Sequence, residues 1–564
     1  MAIGPGDLPA LMRAAQDAVG RNDAAAAERA FAGLVRLRPQ DAQLHFNHAR
    51  ALSDLGRLDA AEAALRQALK LMPDLAPANT NLGNLLTRAG RLDEAEPFLQ
   101  RAVRLQPAQW RPHFNLATLQ QRAGQTGLAR QSVDRALALA PDAVEAHQLR
   151  LLLALYADGT GDAELFALHR QAAAAIARQA GPPIARLGND RDPERRLRVG
   201  YVSPDLRAHS VSYFIAGILK AHDRRQVEVF CYADIERADA VSEMLRGRAD
   251  HWRQTRPLGP DQLAAQIQAD GIDVLVDLAG HTRDNRMLLF ARKPAPVQAS
   301  WIGYPATTGL DTVDIRFTDA IVDPPGQSEV YHSETLVRLE PCFLAYEPPA
   351  DAPEVGDCPA LRGEAPVFGS FNNIAKLSPA TVETWAALLA AVPEARLVIK
   401  SSGVADRRSF AWFTGILAQR GVAADRIEVL PYARSLADHL ALYRRLDLAL
   451  DPFPYNGTTT TCEALLMGVP TVALRGPPGR HAARVSESLL GAVGLGHLIA
   501  ADPAAYVALA AAAIRDRESI GALRQSLRPR FLASPLCDAP ALTRQVEAAY
   551  RQFWRQWCRR SESA

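Results

Sequence analysis

The sequence predicts an α-helical repeat superhelix followed by two successive α/β units, each built on a parallel sheet. Three observations carry this. Pro39, Pro73, Pro107 and Pro141 recur every 34 residues, as do Gly56, Gly90 and Gly124, and Ala27, Ala61, Ala95 and Ala129. After residue 195, apolar runs of strand length alternate with helical patterns. That alternation breaks at a Pro-, Gly- and charge-rich stretch and then restarts, which marks a second unit.

The repeats come first, over residues 1–180. In each period a helical apolar pattern runs to a Gly-centred turn, as in ALSDLGRLD around Gly56, and a second helix runs on to the Pro. Glycine ends the first helix, and small alanines sit where two helices approach closely. The first period departs from the pattern, with Asn22 where the Gly would fall, and the pattern drifts from Asp142 onward, as expected where a stack is capped. Asn47, Asn81 and Asn115 share the same spacing on first helices. Two readings are open for them: local bonding inside each repeat, or an amide ladder on the concave face that binds the backbone of an extended peptide.

Residues 181–195 (GPPIARLGNDRDPER) read as a linker, and the D-x-D of Asp190 and Asp192 within it as a solvated charge run, with no metal site assigned. The first α/β unit, 196–350, holds strand candidates LRVGYVS (Leu197–Ser203), VEVFCYA (Val227–Ala233), IDVLVDLAG (Ile272–Gly280), VQASWIGY (Val297–Tyr304) and IRFTDAIV (Ile315–Val322). Residues 351–365 are again a linker by composition. The second unit, 366–564, restarts with VFGSFN, RLVIK, IEVLPY, LDLALDPF and TVALRG. It ends in an amphipathic segment that puts Leu542, Val546, Phe553 and Trp557 on one stripe of a closing helix. Two such units imply a cleft at the carboxyl ends of both sheets, where ligands bind.

Composition removes several classes of function. The 564 residues carry 64 Lys+Arg against 62 Asp+Glu, a net charge of +2, so nothing points to nucleic acid or an anionic membrane as a partner. Apolar residues at 48% and charged residues at 22% exclude wholesale disorder. The first thirty residues hold no continuous apolar stretch, and no later run is long enough to span a bilayer, so the expected setting is cytoplasmic. The six cysteines are scattered, without C-x-x-C pairs, and read as reduced structural thiols. Gly491, Gly494 and Gly496 have the wrong spacing for a dinucleotide fingerprint. Only Lys70, Lys220, Lys293, Lys376 and Lys400 are lysines, and none follows a glycine, so there is no P-loop.

Three constellations can carry chemistry. In LDLALDPFPYNGTTTTCEALLMGVPTVAL a buried strand leads through a Pro/Asn/Gly turn into a helix that opens at Thr458–Thr461. Those threonines either cap the helix or, with its free N–H groups and positive dipole end, cradle a pyrophosphate. Glu463, one turn in, either faces solvent or accepts hydrogen bonds from a ribose. In GSFNNIAKLSPATVETW, Lys376 lies in a strand-to-helix turn after Asn373, placed to reach phosphate oxygens on a leaving group. In YVSPDLRAHSVSYF, Asp205 and His209 follow the first strand, and His281 (DLAGHTRDN) occupies the equivalent end of a later one. Two histidines on the cleft side are candidates for general base or substrate contact.

Together these residues resemble a known family. Gly56, Ala61, Ala68 and Pro73, repeated as Gly90, Ala95, Ala102 and Pro107, match the tetratricopeptide repeat (TPR). RLRVGYVSPDLRAHSVS, PAPVQASWIGYPATTG, FNNIAKLSP and DPFPYNGTTTTCEALLMGVPTV, in that order after the repeats, resemble the O-linked N-acetylglucosamine transferases. The resemblance implies a GT-B fold with two Rossmann-like lobes. It further implies inverting, metal-independent transfer of N-acetylglucosamine (GlcNAc) from UDP-GlcNAc to Ser or Thr of a polypeptide guided by the repeats, with no further cofactor. On that basis His209 is the base or acceptor-binding histidine, Lys376 the pyrophosphate lysine, and Thr459 and Thr460 contact the diphosphate. Asn373 stands where the family places a Gln, Glu463 in place of an Asp at the ribose, and Thr458 in place of a His. Ala433, Arg434 and His439 (LPYARSLADHL) fall in the uracil and ribose region. Relatives that move glucose to Asn keep sugar and acceptor open, and a catalytically weak peptide-binding scaffold is the rival reading.

Overall fold

A computed structural model describes residues 7–400, 407–431 and 433–560. The chain forms two compact units, one of Met1–Pro141 with Ala405–Ala411 and one of Asp142–Val404 with Trp412–Ala564.

In the first unit the described residues form four antiparallel helix pairs: Leu8–Gly20 with Ala24–Leu37, Ala42–Asp54 with Leu58–Leu71, Ala76–Arg88 with Leu92–Leu105, and Trp110–Arg122 with Thr126–Leu139. Ala61, Ala95 and Ala129 are fully buried, so any larger side chain there would separate the paired helices. Gly56, Gly90 and Gly124 turn between the helices at φ of +72°, +77° and +71°. Asn22 does the same at φ +54°, so the first period is a complete repeat. Asparagine tolerates the left-handed region better than other non-glycine residues, which explains the exchange. A buried polar position two residues before the Asn ladder stitches each repeat to its own proline turn. There His45 Nε2 lies 2.9 Å from the Pro39 carbonyl, Asn79 Nδ2 donates to Pro73 at 2.9 Å, and His113 Nε2 lies 3.0 Å from Pro107.

The fifth pair, Val144–Tyr156 and Asp162–Ala180, belongs to the second unit. Val144, Ala173, Ala175 and Ile176 share a core with Phe230, Leu275 and Phe290 of the first α/β lobe, so this last pair of the helical region packs with the lobe and the compact units divide at 141.

The first lobe holds β1 (Leu197–Ser203), β2 (Val227–Ala233), β3 (His251–Gln254), β4 (Val274–Asp277), β5 (Val297–Ser300), β6 (Ile315–Thr318) and β7 (Thr335–Arg338), ordered 3-2-1-4-5-6-7 and parallel throughout. The second holds β8 (Val367–Ser370), β9 (Arg396–Lys400), β10 (Ile427–Leu430), β11 (Leu448–Leu450), β12 (Thr471–Leu474) and β13 (Ile499–Ala500), ordered 10-9-8-11-12-13 and also parallel. Each order reverses beside the lobe's first strand, and loops leaving the strands there frame a ligand crevice. The edge strands β3, β7 and β13 escape sequence reading because they are short or half-exposed and lack a continuous apolar run.

The closing helix, Ala539–Arg560, buries Leu542, Val546, Tyr550 and Trp554, with Phe553 and Trp557 only half-buried. The stripe lies one residue round from Trp557 because the helix packs on the first lobe, not on the lobe that precedes it. Tyr550 OH is 3.2 Å from Tyr201 OH, Glu547 bonds His222 at 2.8 Å, and Trp554 Nε1 donates to the Asp192 carbonyl at 3.1 Å. The D-x-D forms consecutive side-chain turns in the linker, Asp190 accepting from the Asp192 amide and Asp192 from the Glu194 amide.

Candidate active site

A cavity of about 300 Å³ opens between the two lobes of the second unit, lined by residues that include His209, Ile302, Asn373, Lys376, Tyr455, Thr458–Thr460 and His481.

Lys376 reaches it because its turn is fastened at both ends. Asn373 Oδ1 accepts from the Ala375 amide at 3.0 Å, capping the single turn Ile374–Lys376. Ser378 caps the next helix, Pro379–Ala391, and donates to the Phe453 carbonyl at 2.8 Å. Between them Lys376 Nζ donates to the Asn456 carbonyl at 2.8 Å and lies 4.4 Å from the centre of the Tyr455 ring. Burial pushes its pKa down to about 8, opposed by the Asp451 carboxylate. Burial in turn raises Asp451, whose Oδ1 accepts from the Gly457 amide at 2.7 Å.

Gly457 lets this turn fold tightly, since a Cβ there would stand 2.6 Å from Thr460 Oγ1 and 2.8 Å from Asp451 Oδ1. The helix Thr459–Leu466 follows, with Thr458 at its N-cap. Thr458 makes no side-chain capping bond, so the first-turn N–H groups are not satisfied by it. Thr460 Oγ1 donates to Asn372 Oδ1 at 3.0 Å, locking the two strand ends of this lobe together. A dipole end with open N–H groups beside a buried lysine is a site for phosphate charge.

Across the cavity, His209 projects from the loop after β1 with its side chain 40% exposed, Nδ1 lying 3.6 Å from Asp205 Oδ2. Desolvation lowers the His209 pKa against the pull of Asp205, which favours a neutral imidazole able to take a proton. Ile302 borders the same space at φ +64°, a conformation that costs a β-branched residue about 1–3 kcal/mol. Next to it, a Cβ on Gly303 would collide with the Leu278 carbonyl, so only glycine lets the two strand ends close up.

Two expected residues do not reach the cavity. His281 is buried against the repeat-end helix Asp162–Ala180, with Nε2 2.8 Å from the Thr308 carbonyl and its ring packed on His169 and Tyr304. Burial pushes its pKa down to about 4. It stands at a strand's carboxyl end as expected, but the covering helix fills the space there, so it is withdrawn from the catalytic set. Asp205, expected as an acceptor contact, is buried under its own loop beside His209 and Arg207 and does not line the cavity.

Outside the cavity wall, His439 and Glu463 pair with each other, and Ala433 and Arg434 lie in the loop before the helix Leu436–Ala441 that carries His439. Glu463 is buried and takes His439 Nε2 at 2.9 Å and Tyr443 OH at 3.2 Å, while Arg434 is exposed. In the first unit Asn47, Asn81 and Asn115 are all half-buried on first helices, and Asn47 borders a groove with Met12, Phe31 and Arg50. Sequence reasoning missed Ile302, Tyr455 and His481. Tyr455 and His481 lie within or next to quoted motifs but carry no spacing signal of their own.

The model of glycosyl transferase family 41 matches residues 182–346 and 358–546, and tetratricopeptide repeat models match 12–76, 46–109 and 86–153. The probable UDP-N-acetylglucosamine–peptide N-acetylglucosaminyltransferase SPINDLY of Arabidopsis thaliana is 41% identical over 422 residues, 74% of this chain and 46% of that protein. The UDP-N-acetylglucosamine–peptide N-acetylglucosaminyltransferase of Caenorhabditis elegans is 24% identical over 478 residues, 64% of this chain and 41% of that protein. The chain thus spans under half the length of these relatives. Among solved structures, a mutant of Thermobaculum terrenum O-GlcNAc transferase superposes with a TM-score of 0.86 at 36% identity, covering 92% of this chain and 98% of that one. The repeats, the paired parallel sheets and the family match together place the chain in glycosyl transferase family 41.

Proposed function

We propose that the chain is an inverting protein O-glycosyltransferase that moves GlcNAc from UDP-GlcNAc to Ser or Thr hydroxyls of polypeptides. The observation that carries the reading is the opposition, in one cavity, of a diphosphate-binding wall (Lys376 and the open end of helix Thr459–Leu466) and a neutral-leaning histidine on the other lobe (His209). The acceptor oxygen bonds to the anomeric carbon as the bond from that carbon to the β-phosphate oxygen breaks. The acceptor proton passes to His209, and UDP leaves with its charge held by Lys376 and the helix dipole. That wall supplies the countercharge, so the reading assigns no metal and no cofactor beyond the sugar nucleotide. The cavity takes sugar and diphosphate, with Asn373 at its rim. The nucleoside extends past the first helical turn toward Glu463, His439, Ala433 and Arg434. The amide ladder Asn47, Asn81 and Asn115 binds the acceptor's backbone.

The sugar and acceptor come from the names of the relatives, and the test is open on both. Calorimetry measures UDP binding, and mass spectrometry then reads a peptide library incubated with a panel of nucleotide sugars, with and without EDTA. Transfer of GlcNAc to Ser or Thr, unaffected by EDTA, supports the reading. Transfer of another sugar, or to Asn, corrects the substrate. Absence of UDP binding leaves a peptide-binding scaffold.

A further inference from the structure

One polar side chain of the cavity wall, His481, has no part in the mechanism above and is fixed by contacts of its own. His481, in the loop after β12, is buried, and its Nδ1 lies 2.7 Å from Asp323 Oδ2 of the other lobe. Its ring packs edge-on against Phe343 at 5.0 Å. Both flanks are bolted down. Arg480 donates to the Ala154 and Thr160 carbonyls at the end of helix Val144–Tyr156, and Arg484 donates to the Ile321 carbonyl at 2.7 Å and to Gly476 at 2.8 Å. Asp323 is fixed in its turn by the Thr318 hydroxyl.

A buried carboxylate on Nδ1 selects the tautomer that carries its proton there, which leaves Nε2 as a hydrogen-bond acceptor. Burial lowers the His481 pKa despite Asp323, which favours the neutral ring in which Nε2 keeps its lone pair. His481 lines the same cavity as Lys376 and Thr458–Thr460, and with Nδ1 committed, Nε2 is the nitrogen left for an occupant. Depth decides which part of the occupant it meets. The His209 side chain is 40% exposed and stands where a polypeptide can enter, whereas the His481 side chain is 2% exposed and walled in, which suits the small sugar of the donor better than a polypeptide.

We infer that His481, positioned by Asp323, accepts a hydrogen bond from one hydroxyl of the donor's sugar and so helps select which sugar is transferred. This rests on the donor-binding reading above. A site built to accept from a hydroxyl discriminates strongly against a sugar that lacks it.

The test uses the full chain, with UDP, UDP-GlcNAc and UDP-GlcNAc analogues each lacking one sugar hydroxyl, all measured by calorimetry. In the native protein one analogue binds about tenfold more weakly than UDP-GlcNAc, while UDP alone is the reference. In His481→Ala that difference disappears, UDP affinity stays within twofold, and UDP-GlcNAc falls to the level of the analogue. His481→Gln, whose side-chain oxygen can stand in for Nε2, restores part of the difference. Asp323→Asn, which frees the tautomer, reduces it with donor KM rising more than kcat falls. Equal loss of UDP and UDP-GlcNAc in the variants makes His481 a tether between lobes and overturns the inference, as does a change confined to acceptor KM. Should His481→Ala not fold, the native analogue series and the Gln variant decide alone: analogues that all bind like UDP-GlcNAc overturn it. Failure of the native chain to bind UDP or UDP-GlcNAc at all refutes the functional reading instead.

Discussion

Lys376 offers the sharpest quantitative test, because burial brings its titration into an accessible range. Its ammonium must be charged to hold a diphosphate, and in the free protein its pKa is about 8. At pH 7 about nine molecules in ten are ready to bind, and at pH 9.5 about one in thirty. The second ionisation of a phosphate lies near pH 6, so UDP is fully charged throughout and contributes no slope of its own. UDP affinity is therefore expected to fall about 30-fold between pH 7 and 9.5, approaching tenfold, or ~1.4 kcal/mol, per pH unit above 8. Lys376→Met should bind weakly at every pH, with no such slope, and should lose about 10²–10³ in turnover, as expected when one preorganised donor to the leaving charge is removed. Asp451→Asn keeps an acceptor for the Gly457 amide but removes the charge that supports the ammonium, so the midpoint moves to lower pH. Calorimetry across the range reads all three. A native curve flat from pH 7 to 9.5, or the same slope in Lys376→Met, would refute the assignment of Lys376 to the diphosphate.

Three further outcomes are expected. His209→Ala should cut kcat by about 10²–10³ and leave UDP affinity unchanged; because desolvation lowers the His209 pKa, the acid limb of the native kcat/KM profile should lie below the ordinary histidine value of about 6.5 and be absent in the variant. Arg480→Met should destabilise the second unit by about 2–4 kcal/mol in urea unfolding, since several buried carbonyls at the end of helix Val144–Tyr156 lose their donor together. In the first unit Gly56→Ala should cost about 1 kcal/mol by forcing a Cβ into φ +72°, whereas Asn22→Gly at φ +54° should be neutral or slightly stabilising, both read from thermal unfolding.

Much of the candidate site was legible because its parts are local. The turn that presents Lys376 is written in one short run, Asn373 to Ser378, with the cap residues beside the lysine they position. The Gly-Thr-Thr-Thr-Thr start of helix Thr459–Leu466 likewise announces both the tight turn and the open helix end. Asn22 was legible as a departure but not as an equivalent, because the periodic pattern registers residue type and not backbone conformation. His281 misled for the opposite reason: its position in the strand was read correctly, but which strand ends a helix covers depends on packing from a segment more than a hundred residues earlier.

The sequence by itself determined the repeats, the two alternating α/β units and the turns that carry Lys376 and Thr458–Thr460 to one cavity wall, since each is encoded by spacing within a few tens of residues. Only the tertiary structure decided where the units divide, that the closing helix returns to the first lobe, and that Asp323 and His481, 158 positions apart, meet beside the cavity. Those are long-range contacts between surfaces that look alike in sequence, chosen by which apolar faces and buried charges find complementary partners once the chain has folded.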